Sequence, residues 1–162
     1  MISKTMEQAF NAQMHEELYS FYLYLSMSAY LDAEQYKGMA HWMRTQAEEE
    51  RGHAMKFFDH LGDRGGRPIL PAIKKPQASW ASPKAAFEAA LTHEKHITAC
   101  INALMDQAIK EKDHASAEFL HWFIKEQVEE IATLEPIVEQ FRRAPDSVGG
   151  HYFIDHRLGK RG

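Results

Sequence analysis

The sequence predicts an all-α protein: a four-helix bundle with one long crossover and a short fifth helix. Three observations carry that prediction. Residues 3–37 contain neither Gly nor Pro, and residues 84–135 contain neither. Between these tracts, GGRPILPAIKKPQASWASP (residues 65–83) gathers four of the six prolines. Within the tracts, apolar residues recur at three- and four-residue steps, the period of one helix face.

Taken in order, the first helix is placed at about 4–33, and it ends where the polar run DAEQYK and Gly38 break the period. The second runs from about 37 to 64. The third begins at about 83, with Ser82 as N-cap and Pro83 in the first turn, and continues to 111. The polar break KDH separates it from the fourth, at about 114–142, and a short fifth helix follows at about 148–158. About seventeen extended residues reach some 55 Å. A helix of 28 residues is only ~42 Å long, so the proline-rich segment can run the length of the bundle and start the third helix parallel to the second.

Composition narrows the function. The 162 residues suit one domain over 1–162, with 44% apolar residues, nine Phe and eight Met for its interior. A net charge of −4 without a basic stripe argues against nucleic acid. No apolar run approaches the roughly 18 residues of a membrane span, and the N-terminus MISKTMEQAF lacks a signal-peptide core. Cytoplasmic localisation is the expectation. One cysteine excludes an internal disulfide, and Cys100 reads as a small buried packing residue.

The chemistry lies in the stripes. They run Phe10, Met14, Glu17, Phe21, Tyr24, Ser28, Leu31 in the first helix and Met39, Met43, Ala47, Glu50, Ala54, Phe57, Leu61 in the second. In the third they are Phe87, Leu91, Glu94, Ile97, Ile101, Leu104, Ala108, and in the fourth Phe119, Phe123, Gln127, Glu130, Leu134, Ile137, Phe141. Each contains one glutamate near mid-helix. Glu17 and Glu50 fall roughly 20–24 Å from their shared turn, and Glu94 and Glu130 lie at a similar depth from theirs. Four buried carboxylates need protons, cations or metal, and no Lys or Arg falls in the stripes. With His53 three residues after Glu50, the donor set suits iron, manganese or zinc, and two dications would balance four negative charges. Glu48 and Glu49 read as a solvated face. His93 and His96 flank Glu94 but point away from it, while His15, His41, His60, His114 and His156 are placed on wet faces.

The segments HEELYSFYLYLSMSAY, EEERGHAMKF, THEKHI, FLHWFIKEQVEEI and GGHYFIDHRL together resemble the haem-free prokaryotic ferritins over essentially the whole chain. The resemblance implies a ferritin-like four-helix bundle that stores iron. It implies that Glu17, Glu50 and His53 hold the first iron of a dinuclear ferroxidase centre, with Glu50 bridging. Glu94 and Glu130 would hold the second, Gln127 would stand beside it, and Tyr24 would supply or relay an electron. Glu49, Glu126 and Glu129 would join Glu130 in a third iron site, with Trp122 nearby, so the solvated reading of Glu49 gives way on the resemblance alone.

Fe(II) and O2 or H2O2 would be the substrates, a shell of twenty-four identical subunits the assembly, and an unknown reductant the partner for iron release. The departures also matter. Only one Glu-x-x-His pair is present, Gln127-x-x-Glu130 standing where a second would be. Arg51 follows Glu50 where bacterioferritin has its haem-ligating methionine, so no haem is expected. Ala117 and Leu120 occupy the places of the acidic residues lining animal ferritin pores. Two other classes compete: a di-iron redox enzyme that turns over without storing iron, and a catalytically silent structural subunit.

Overall fold

The structure, a computed structural model, describes residues 1–144 and 146–162. The described residues form five α-helices: α1 (Lys4–Ala33), α2 (Lys37–Asp63), α3 (Pro83–Glu111), α4 (His114–Arg143) and α5 (Val148–Leu158). These bounds fall within one residue of those expected from the sequence.

Local chemistry explains the starts. Ser3, Ser82, Asp113 and Ser147 each accept a backbone N–H with the side chain, capping α1, α3, α4 and α5. α2 has no cap of its own. Its Met39 N–H instead donates to Asp155 of α5 at 2.8 Å, a cap supplied from 116 residues away. α3 ends on Lys112 in the left-handed region (φ 56°). α4 continues through Pro136, which removes one helical bond, because buried Leu134, Ile137, Val138 and Phe141 hold the helix on both sides.

The connection between α2 and α3 climbs along α1. Arg67 and Ile69 bond to Glu7 and Asn11, Lys74 lies over the Tyr19 ring, Gln77 accepts from Ser26, and Trp80 packs on Tyr30. The chain thus returns to the end where α2 began, and Trp42 of early α2 meets Phe87 of early α3. α2 and α3 are parallel, as the loop length predicts.

The core has two apolar halves. One gathers Leu31, Met39, Trp42, Phe87, Leu134, Phe141 and Ile154; the other gathers Phe10, Met14, Phe57, Ile101, Leu120 and Phe123. Three expectations need correction. Cys100 is half-buried, 3.6 Å from His96, because its place on α3 borders the inward stripe and does not lie in it. His60 is half-buried and stacked on Phe119 at 4.0 Å, where burial lowers its pKa. His15 is also half-buried, with Nδ1 enclosed.

Candidate metal centre

Between the apolar halves lies a polar layer. Gln13 and Glu17 come from α1, Gln46, Glu50 and His53 from α2, Glu94 from α3, and Gln127 and Glu130 from α4; all are at most 5% exposed. The same three- and four-residue steps that bury Phe and Met turn these side chains inward. The cost of burial is met largely by mutual bonding.

His53 Nδ1 lies 3.1 Å from Glu50 Oε2 and 3.8 Å from Glu17 Oε2. Gln13 donates to Glu17 at 2.8 Å. The Gln46 amide donates to Glu50 at 2.8 Å and to Glu130 at 2.9 Å, tying α2 to α4. Across the layer, the Tyr24 hydroxyl donates to Glu94 at 2.5 Å, and Gln127 donates to Glu94 at 3.1 Å and to Thr98 at 3.2 Å.

Among the described residues, two groups of side chains converge closely enough to hold a metal ion. Glu17, Glu50 and His53 form one; His53, Glu126 and Glu130 form the other, each with donor atoms within 4.8 Å of one another. Glu126 approaches His53 Nε2 at 3.7 Å. Glu94 stands apart, its carboxylate turned to Tyr24 and Gln127. Glu49 is exposed and paired with Arg161 at 2.9 Å, and Glu129 is exposed. Trp122 sets its ring edge-on to His53, with centroids 5.4 Å apart. His93 bonds to Ser20 at 2.7 Å, and burial pushes its pKa down to about 4.

Electrostatics mark the layer as short of positive charge. Burial pushes the Glu50, Glu94 and Glu130 carboxyls well above the usual carboxylate range. For Glu50 the strongest opposing influence is the bond to His53; for Glu94 and Glu130 the nearby Glu50 charge adds to burial. Burial alone would lower His53, but Glu17 and Glu50 outweigh it and raise it to about 11. The Tyr24 phenol is pushed well up by burial and then by the Glu94 charge.

The donor set also carries unmet valence. Glu17 Oε2 and Glu130 Oε1 are enclosed and meet no hydrogen-bond donor among the described residues. Such an acceptor costs about 1–3 kcal/mol when left alone. One lies in each group of converging side chains, so a dication in each would satisfy it.

Sequence reasoning missed three contributors. Gln13 carried no signal beyond its position one turn before Glu17. Gln46 lies one turn before Glu50, a position that does not reveal its reach to Glu130. Arg161, beyond α5, bonds to Gln46 at 2.9 Å, and no periodicity of the bundle could have brought it there.

The comparisons agree with this architecture. Residues 7–144 match the family Ferritin, described as a ferritin-like domain. The chain is 43% identical over 161 residues to the bacterial non-heme ferritin of Bacteroides fragilis, covering 99% of this chain and 100% of the relative. It is 37% identical to that of Staphylococcus epidermidis, covering 99% of this chain and 97% of the relative. Its fold is similar to an open pore ferritin from the archaeon Archaeoglobus fulgidus, with a TM-score of 0.98, 44% identity and 100% of both chains covered. From its helices, its inward glutamates and these matches, the chain belongs to the ferritin family.

Proposed function

We propose that this protein is an iron-storage ferritin that oxidises Fe(II) to Fe(III) with O2 or H2O2 and deposits ferric oxyhydroxide inside a shell of identical subunits, with twenty-four the expected number. The observation that carries the reading is the pair of enclosed, unpartnered carboxylate oxygens on Glu17 and Glu130, one in each of two converging donor groups that share His53. Buried carboxylates with one imidazole are ligands for a hard or borderline dication.

In this reading Glu17, Glu50 and His53 bind the first Fe(II), with Glu50 bridging, and Glu94 and Glu130 bind the second. Glu49, Glu126 and Glu129 with Glu130 make a third iron site, to which the approach of Glu126 to His53 lends support. Iron is the substrate. Two Fe(II) give up one electron each, which reduces dioxygen to peroxide or peroxide to water. In this reading Tyr24, which bonds to Glu94, relays a further electron, and Gln127, which also bonds to Glu94, stands beside the second iron and contacts the oxidant. The Glu94 carboxylate must exchange its Tyr24 and Gln127 bonds for metal. The ferric product leaves by hydrolysis, a cytoplasmic reductant of unidentified class would release it, and haem has no part.

Size exclusion with light scattering after aerobic loading with excess Fe(II), with iron counted per chain, tests the proposal. Ferric ions well in excess of the three per chain that the proposed sites can hold, in a particle of several hundred kilodaltons, are expected for a mineral-filled shell. About two irons per chain in a small oligomer would instead favour a di-iron redox enzyme.

A further inference from the structure

Arg161 lies beyond α5, remote in sequence from every residue of the polar layer, yet its side chain is only 19% exposed. The guanidinium lies 4.3 Å from the Trp42 ring centroid, and Nη1 donates to the Trp42 carbonyl at 3.3 Å. Nη2 donates to Gln46 Oε1 and to Glu49 Oε2, both at 2.9 Å. The Arg161 carbonyl lies 2.7 Å from His41 Nε2, so backbone and side chain are both anchored on α2.

Consider what this does to Gln46. An amide offers one acceptor oxygen and one donor NH2 group. With the oxygen held by a guanidinium, only the NH2 group can face inward, where Glu50 and Glu130 both accept from it. Turned the other way, the amide would set its oxygen against two carboxylates. The same Nη2 atom also faces the Glu49 carboxylate and offsets its charge.

We propose that Arg161 is a positioning residue for the metal centre and a guard on its third site. It fixes the Gln46 amide on two ligands of the dinuclear pair, and it holds Glu49 in an ion pair that a further cation must displace. The proposal rests on the reading of Glu49 as a third-site ligand. It sets an order of filling in which the central pair loads first and the third site last. Removing the guanidinium acts with opposite signs: the central pair weakens, because its ligands lose an oriented donor, and the third site tightens, because Glu49 is freed. A role confined to holding α5 in place tightens nothing.

Calorimetric titration of the assembled, metal-free protein with Zn²⁺, with bound zinc counted per chain, separates these effects without redox chemistry. The parent is expected to bind two zinc ions tightly and one more weakly, and Glu49→Gln to lose the weak phase. Arg161→Ala should weaken the tight phase roughly 10- to 100-fold and strengthen the weak one about three- to fivefold. Arg161→Lys keeps a cation near Glu49 but loses the Nη1 bond to the Trp42 carbonyl and the flat guanidinium over the Trp42 ring, the contacts that aim Nη2 at Gln46. It should weaken the tight phase only.

An Arg161→Ala isotherm that superimposes on the parent's, while Glu49→Gln still loses the weak phase, overturns this proposal and leaves the third-site reading standing. A Glu49→Gln isotherm identical to the parent's removes the third site and the guard with it. Should Arg161→Ala fail to assemble, an unchanged tight phase in Arg161→Lys overturns the positioning role.

Discussion

Glu50 reaches both sides of the polar layer, by contact on one and by charge on the other. It faces His53, accepts from Gln46, and its charge bears on Glu94, Glu130 and Tyr24. Losing a hydrogen-bond partner of a metal ligand costs roughly 10- to 100-fold in affinity or activity. Losing Glu50, the proposed bridging ligand, should exceed that. Glu50→Ala is expected to retain the helical fold but slow the first oxidation of Fe(II) by more than about 100-fold, followed by stopped-flow absorbance of the ferric product. Oxidation at the parent rate would sink the assignment. At this scale the sequence was informative where periodicity spoke: Glu17, Glu50, Glu94 and Glu130 were legible as inward glutamates because a solvated helix face does not place one carboxylate in each of four apolar stripes. Periodicity says nothing of rotamers, so the turning of Glu94 toward Tyr24 and Gln127 was not legible.

At the scale of the element, α5 is fastened to α2 by close backbone approach and one borrowed cap. A Cβ at Gly38 would overlap the Asp155 carbonyl oxygen, so glycine is required there by its neighbour rather than by its dihedral angles. The Asp155 carboxylate meanwhile accepts from the Met39 N–H at a helix N-terminus that has no side-chain cap of its own. Asp155→Ala should destabilise by about 0.5–2 kcal/mol, the usual cost of losing an N-cap, and Gly38→Ala should cost more because backbone must move. Chemical denaturation of the metal-free protein measures both. A Gly38→Ala variant as stable as the parent would show that α5 can shift freely on α2.

For the molecule as a whole, the polar layer makes metal-free stability depend on pH in a set direction. Folding raises Glu50 to about 7, Glu94 to about 8 and Glu130 to about 9 from an ordinary 4.5, and His53 to about 11 from 6.5. Each group holds its proton more tightly folded than unfolded. The stabilisation from the carboxyls is full below pH 4.5 and is lost as pH rises through 7 to 9; that from His53 is full below 6.5 and is lost on the way to 11. All four therefore act in the same sense, and the Tm of the metal-free protein should fall as pH rises from about 5 to about 9. Zn²⁺ displaces the protons, so its stabilisation should grow over the same range. Scanning calorimetry with and without zinc checks both slopes, and a metal-free Tm that rises with pH would contradict the charge deficit described for the layer.

By itself the sequence determined the helices, their order and the depth of the four glutamates. Those follow from local chemistry: apolar period, Gly and Pro placement, caps within three residues, and a proline-rich segment long enough to span the bundle. Tertiary structure alone decided which carboxylates converge with His53, that Glu126 joins that group while Glu94 turns to Tyr24 and Gln127, and that Arg161 reaches Gln46 and Glu49. The reason is range. A helix face is fixed by neighbours three and four residues away, whereas a contact across 115 residues depends on how every packed element between them is oriented.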